Sequence, residues 1–257
     1  MKILAIGNSF SDDSMEYLYK IATAEGMQNV TLGNLYIGGC TLATHLSNAQ
    51  NNTPAYEYRK NTNDLWVTTP NTTLLSGILD EEWDIITMQQ ASGYSGLGAS
   101  YAPLDELISF VKQHKPKHCR LAWNMTWAYQ KGSDHPDFIN YNRDQATMYQ
   151  AICTAVESKI LSRVDFSLLL CPGTAIQNLR TSFVGDTLTR DGYHLSFTLG
   201  RYLAAYTWFA TLSGKQLTEL QYTPPHIIPN KTYTDALLEA INAAVKAPLA
   251  VTQSSFT

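Results

Sequence analysis

Lys2-Ile3-Leu4-Ala5-Ile6-Gly7-Asn8-Ser9-Phe10-Ser11 opens the chain, and its reading decides the fold. The run from Ile3 to Ile6 is apolar without alternation, as in a strand buried on both faces of a helix-covered sheet. The strand runs straight into a small polar turn carrying Ser9, followed by Asp12, Asp13 and Ser14 as possible caps of a helix. A serine on a strand-to-helix turn can serve as a nucleophile, because the backbone N–H groups and the field at the helix start favour a developing oxyanion. The plainer alternative is a serine that only caps the helix.

Outward from this stretch the pattern alternates strand and helix. Further strands are expected over Val30–Ile37, Trp83–Met88, Cys119–Asn124 and Val164–Leu170. Helices are expected over Ser14–Ala24, Thr73–Glu82, Leu104–His114, Tyr141–Leu161, Leu195–Leu212 and Tyr233–Val245. Asn48 to Thr73, rich in Asn and Thr, reads as an insertion or long loop. Five apolar strands separated by helices predict an α/β fold built on a five-stranded parallel sheet. With no repeat, linker or break in composition, a single domain over residues 1–247 and a loose tail over 248–257 are expected. Ligands of such sheets bind beyond the C-terminal strand ends, where Ser9, Gly39, Gln89, Asn124 and the loop after Leu170 all fall.

The 257 residues are 44% hydrophobic and 16% charged, which suits a substantial core. A net charge of -4 and the lack of any Lys/Arg run argue against a nucleic-acid surface. No stretch approaches the roughly 18 apolar residues of a membrane span. The start of the chain reads as a core strand, not a leader, so a cytoplasmic protein is expected, or a periplasmic or secreted one if a leader has been removed. No metal spacing links Cys40, Cys119, Cys153 and Cys171, or His45, His114, His118, His135 and His226. Each of these histidines reads as a surface or packing residue, and no cofactor or metal is expected.

Asp191-Gly192-Tyr193-His194 is the second informative stretch. Three-residue spacing lets the Asp191 carboxylate hold Nδ1–H of His194 while Nε2 faces a serine. The plainer alternative is a reversal turn. Gly39, after Gly38, permits close backbone approach and a further N–H donor. Gln89 or Gln90, ending the third apolar strand, offers an amide. Asn8 and Phe10 beside the serine, His45 past Gly39, and Asn124, Trp127 and Tyr129 after the fourth strand are expected to line the substrate site. The competing reading for Trp127 and Tyr129 is core packing.

Together, Gly7-Asn8-Ser9-Phe10-Ser11, Gly39, the amide after the third strand and Asp191-Gly192-Tyr193-His194 resemble the SGNH-hydrolase superfamily of GDSL-type esterases and lipases. The resemblance runs from Met1 to about Leu212 and implies a flavodoxin-like three-layer α/β/α sheet in the order 2-1-3-4-5. It implies metal-independent ester hydrolysis with Ser9 as nucleophile, His194 as base and Asp191 as its orienter. Ser9, Gly39 and Gln89 or Gln90 would stabilise the oxyanion. The chain departs from the family pattern in reading Gly-Asn-Ser-Phe-Ser for Gly-Asp-Ser-Leu-Ser, and in offering glutamine where the third block has asparagine. The glutamine is similar to that of carbohydrate O-acetylesterase and uncharacterised bacterial branches of the superfamily, and with the aromatic loop after the fourth strand it implies a small-molecule or carbohydrate substrate carrying a short-chain, acetyl ester. Rival expectations are a catalytically silent glycan-binding protein on the same scaffold, or a lipase or thioesterase of longer acyl chains.

Overall fold

The sheet strands are β1 (Lys2–Gly7), β2 (Thr31–Tyr36), β3 (Tyr56–Asn61), β4 (Trp66–Thr72), β5 (Ile85–Met88), β6 (Arg120–Asn124) and β7 (Phe166–Leu170). Between and after them run α1 (Ser9–Met15), α2 (Leu18–Ala24), α3 (Leu42–Asn51), α4 (Leu74–Leu79), α5 (Leu104–His114), α6 (Gln145–Val156), α7 (Pro172–Leu179), α8 (Leu199–Ser213) and α9 (Lys231–Lys246). This is a computed structural model that describes residues 1–227 and 230–257. One mixed sheet of seven strands runs in the order β4-β3-β2-β1-β5-β6-β7. The strands β2, β1, β5, β6 and β7 are parallel and keep the 2-1-3-4-5 order that the family resemblance implies.

The purely parallel five-stranded sheet is corrected by β3 and β4, an antiparallel hairpin that extends the β2 edge. It falls in the stretch read as a loop because only Tyr56, Tyr58 and Asn61 of β3 are buried, while β4 is largely exposed and carries Pro70. Such a strand can hold only an edge position. Its apolar signal is too sparse for periodicity to register.

Alternation across β2 shows how both faces are covered. A Cβ on Gly33 would lie 2.8 Å from Trp83, and Leu35 on the same face packs against Gly77 of α4. Asn34, pointing the opposite way, meets Ser11 and Asp12 of α1. One side of the sheet thus takes α4, and the other takes α1 with α8 packed on it. Trp83, Trp123 and Trp208 are fully buried in the resulting core. Each large apolar side chain so placed contributes roughly 1.5–3 kcal/mol.

Two helices were hidden by their own burial. In α3 the inward stripe is Leu42, His45, Asn48 and Ala49, so polar residues occupy core positions. Helix α7 begins at Pro172, a residue that reads as a strand terminator yet suits the first helical turn. The segment 248–257 is not the loose tail expected. Thr252 N–H donates to Asn178 Oδ1 and Ser254 N–H to Thr181 Oγ1, each at 2.8 Å, and Phe183 N–H donates to the Phe256 carbonyl. Among the described residues no helix is long and apolar enough to cross a membrane.

Candidate active site

Ser9 is the first residue of α1, and the turn that presents it is built from its neighbours. Asn8 caps the helix: its Oδ1 accepts the Phe10 N–H at 3.0 Å, and its own N–H donates to Ser11 Oγ at 3.1 Å. The helix therefore starts directly at the strand end, five residues earlier than the Ser14 start expected from the sequence. Gly7 is required sterically, since a Cβ there would lie 2.2 Å from Ser11 Oγ.

The turn 191–194 meets this serine from the far end of the chain. His194 Nε2 lies 2.8 Å from Ser9 Oγ, and His194 Nδ1 lies 2.6 Å from Asp191 Oδ2. The other Asp191 oxygen accepts the backbone N–H of His194 at 2.7 Å and that of Tyr193 at 3.2 Å. Burial pushes the Asp191 carboxyl up, but these hydrogen bonds outweigh it and hold the group below the usual carboxylate range. A carboxylate there accepts Nδ1–H, which leaves Nε2 as an acceptor for the serine hydroxyl.

What brings the two ends together is Asp13, on the same helix as Ser9. Its fully buried carboxylate accepts from Arg201 Nε at 2.7 Å, from Arg190 Nη1 at 3.0 Å and from the Leu195 N–H at 2.7 Å. Arg190 also bonds the Leu195 carbonyl, and its N–H donates to the His194 carbonyl at 2.9 Å. The loop bearing His194 is thus clamped to the helix bearing Ser9. In sequence Asp13 reads only as a possible cap, and nothing local pairs it with arginines 177 and 188 residues away.

Around Ser9 and His194 lies a pocket of about 230 Å³ that also takes in Asn8, Phe10 and Gly39. Gly39 adopts a left-handed φ of +63°. Among the described residues, neither the Ser9 N–H nor the Gly39 N–H is spent on another protein group. The remaining wall is Tyr36, Gly38, Ser92, His135 and Tyr193, none of which stood out in the sequence as a site residue.

Several expected site residues lie elsewhere. Gln90 turns away: its Oε1 accepts from Leu42 and Ala91 N–H groups, and its Nε2 donates to Ser100. Gln89 and Asn124 lie behind the pocket in a buried relay. Trp208 Nε1 donates to Asn124 Oδ1, Asn124 Nδ2 to Gln89 Oε1 at 2.7 Å, and Gln89 Nε2 to Asn8 Oδ1 at 2.6 Å. Neither glutamine amide faces the pocket; Gln89 instead fixes the cap that starts α1. His45 is wholly buried against Tyr56, with Nδ1 2.9 Å from its hydroxyl, and burial lowers its pKa to about 3. Trp127 is buried one layer down, stacked on Phe10 at 4.2 Å and donating Nε1–H to the Tyr193 carbonyl. Tyr129 is likewise buried, its hydroxyl 2.8 Å from Ser92 Oγ. These rings roof the core and hold lining residues without lining the pocket themselves. Among the described residues, no three His, Cys, Asp or Glu side chains cluster to hold a metal ion.

The family model described as "Domain of unknown function (DUF4886)" matches residues 2–244. No curated protein matches the chain. A DUF4886 family protein from Bacteroides uniformis, known by its crystal structure, is 42% identical over 98% of this chain and 97% of its own, with a TM-score of 0.93. LAE5, an alpha/beta hydrolase enzyme from the metagenome of Lake Arreo, Spain, is 12% identical over 83% of this chain and 94% of its own, at a TM-score of 0.52. A catalytic mutant of Axe2, an acetylxylan esterase from Geobacillus stearothermophilus, is 12% identical over 81% and 92%, at 0.51. With LAE5 and Axe2 the likeness is one of fold.

Proposed function

This chain belongs to the DUF4886 family, and we propose that it is a serine ester hydrolase acting on short acyl esters, with an acetylated carbohydrate as substrate class. The observation that carries the reading is the 2.8 Å approach of His194 Nε2 to Ser9 Oγ, with Asp191 on the opposite ring nitrogen. An imidazole so oriented is the base that a serine nucleophile needs. The fold likeness to an alpha/beta hydrolase and an acetylxylan esterase is consistent with it.

Ser9 Oγ attacks the ester carbonyl while its proton passes to His194 Nε2, and Asp191 stabilises the imidazolium. The Ser9 and Gly39 N–H groups receive the oxyanion; each such donor is typically worth about 3 kcal/mol of barrier. The tetrahedral species collapses, the alcohol leaves with the proton from His194, and the acyl group stays on Ser9. Water then gives its proton to His194, attacks the acyl-serine, and releases the acid as the proton returns to Ser9 Oγ.

A pocket near 230 Å³ favours a short acyl group, since sites for drug-sized ligands run from roughly 300 to 1,000 Å³. Hydrolysis of p-nitrophenyl esters from acetate to laurate tests both levels of the reading. Activity should be greatest on acetate and fall as the chain lengthens. Activity rising with chain length would favour a lipase or thioesterase, and no turnover of any ester would end the hydrolase reading.

A further inference from the structure

The pocket holds a second imidazole that the reaction above does not use. His135 caps the 3₁₀ turn Pro136–Tyr141, and its Nδ1 lies 3.2 Å from the backbone nitrogen of Asp137. A backbone N–H can only donate, so Nδ1 is the acceptor and the proton of the neutral ring sits on Nε2. Burial keeps the His135 imidazole below its usual pKa, outweighing the neighbouring carboxylates Asp137, Asp134 and Asp191, which raise it. Tyr193 meets the ring edge-on at 4.5 Å and Tyr129 packs at 4.7 Å, so its orientation is fixed. Among the described residues no protein acceptor takes the Nε2–H.

The reaction geometry says which part of the substrate this donor meets. His194 must return a proton to the departing alcohol, so the alcohol lies on the imidazole side of Ser9, away from the N–H groups that hold the acyl oxygen. His135 stands on that side. Tyr193, which it touches, packs on His194 at 4.2 Å, and Gln130 N–H ties the preceding segment to the Gly192 carbonyl at 2.8 Å. Ser92, whose hydroxyl pairs with Tyr129, adds a second polar group to the same wall.

We infer that His135 is a specificity-determining residue whose Nε2–H donates to an oxygen of the alcohol part of the ester, selecting polyhydroxylated alcohols over those that offer no second oxygen. The inference rests on the hydrolase reading above. It names the recognition element that a sugar ester finds and a simple aryl ester does not.

The test compares kcat/KM on a mono-O-acetylated methyl glucoside and on phenyl acetate in the wild type, His135→Ala and His135→Gln. His135→Ala should lose about 10-fold more on the sugar ester than on phenyl acetate, as expected for one lost hydrogen bond. The extra loss should fall mainly in KM, and His135→Gln, which restores an N–H donor, should recover part of it. Equal losses on both substrates, with Tm held, would overturn the role of His135 and leave the hydrolase reading standing. A wild type that turned over neither substrate would overturn both.

Discussion

Two histidines face one pocket from neighbouring turns, and their surroundings set them in opposite tautomers. In the 191–194 turn a carboxylate sits on Nδ1 of His194, so Nε2 is left to accept from Ser9. In the 133–137 turn a backbone N–H points at Nδ1 of His135, so Nε2 is left to donate. Side-chain identity is the same and both rings are half-buried; what differs is one hydrogen-bond partner on the far nitrogen. The contrast teaches that a histidine's chemistry is decided one atom behind the pocket wall. One ring is suited to move a proton and the other to recognise an oxygen.

The sharpest way to break this contrast is to remove each ring. His194→Ala and Ser9→Ala should each lower kcat on p-nitrophenyl acetate by roughly 10⁶-fold, as when a serine nucleophile or its base is removed, against the roughly tenfold selective loss expected for His135→Ala. Comparable losses at His194 and His135 would erase the distinction. Next in size is Asp191→Asn, which removes the acceptor that fixes the tautomer. It should lower kcat about 10⁴-fold with Tm nearly unchanged, and a loss under tenfold would place the orienting group elsewhere.

A smaller effect is expected at the clamp. Asp13→Asn leaves Arg190 and Arg201 without their buried carboxylate and should cost about 3 kcal/mol of stability in urea unfolding. Retention of full stability would show that the clamp does not hold the two chain ends together.

The smallest effect concerns a third ring, His45, which has no pocket at all. Its folded pKa is near 3 against 6.5 for a free imidazole. Protons therefore bind the unfolded chain preferentially as pH falls below 6.5, and stability is lost from there downward. Between pH 6.5 and 5 the loss due to this group is about 2 kcal/mol. His45→Gln should show a correspondingly flatter stability profile over that range; an unchanged slope would mean that His45 is not what the acid titrates.

The same contrast explains what could be read from the chain alone. Ser9 and the pair Asp191 and His194 stood out because their partners are local: a strand end beside one, a three-residue spacing in the other. The parallel strands stood out because each is an unbroken apolar run. His135 did not stand out, because its partner is a backbone N–H, and a backbone group leaves no mark in a sequence. Asp13 was hidden because its arginines lie at the other end of the chain, and helix α3 because His45 and Asn48 occupy its inward face. Gln89 ends the third apolar strand, as its sequence position indicates, but its amide does not line the pocket. Its amide is consumed by Asn8 and Asn124, a register of side-chain partners that only the folded chain displays.

Mass spectrometry of the intact protein after exposure to a fluorophosphonate tests the central claim most directly. The account predicts one phosphonyl adduct, mapped to Ser9 and lost in His194→Ala. An unmodified wild-type protein, or an adduct mapped to another residue, would contradict it.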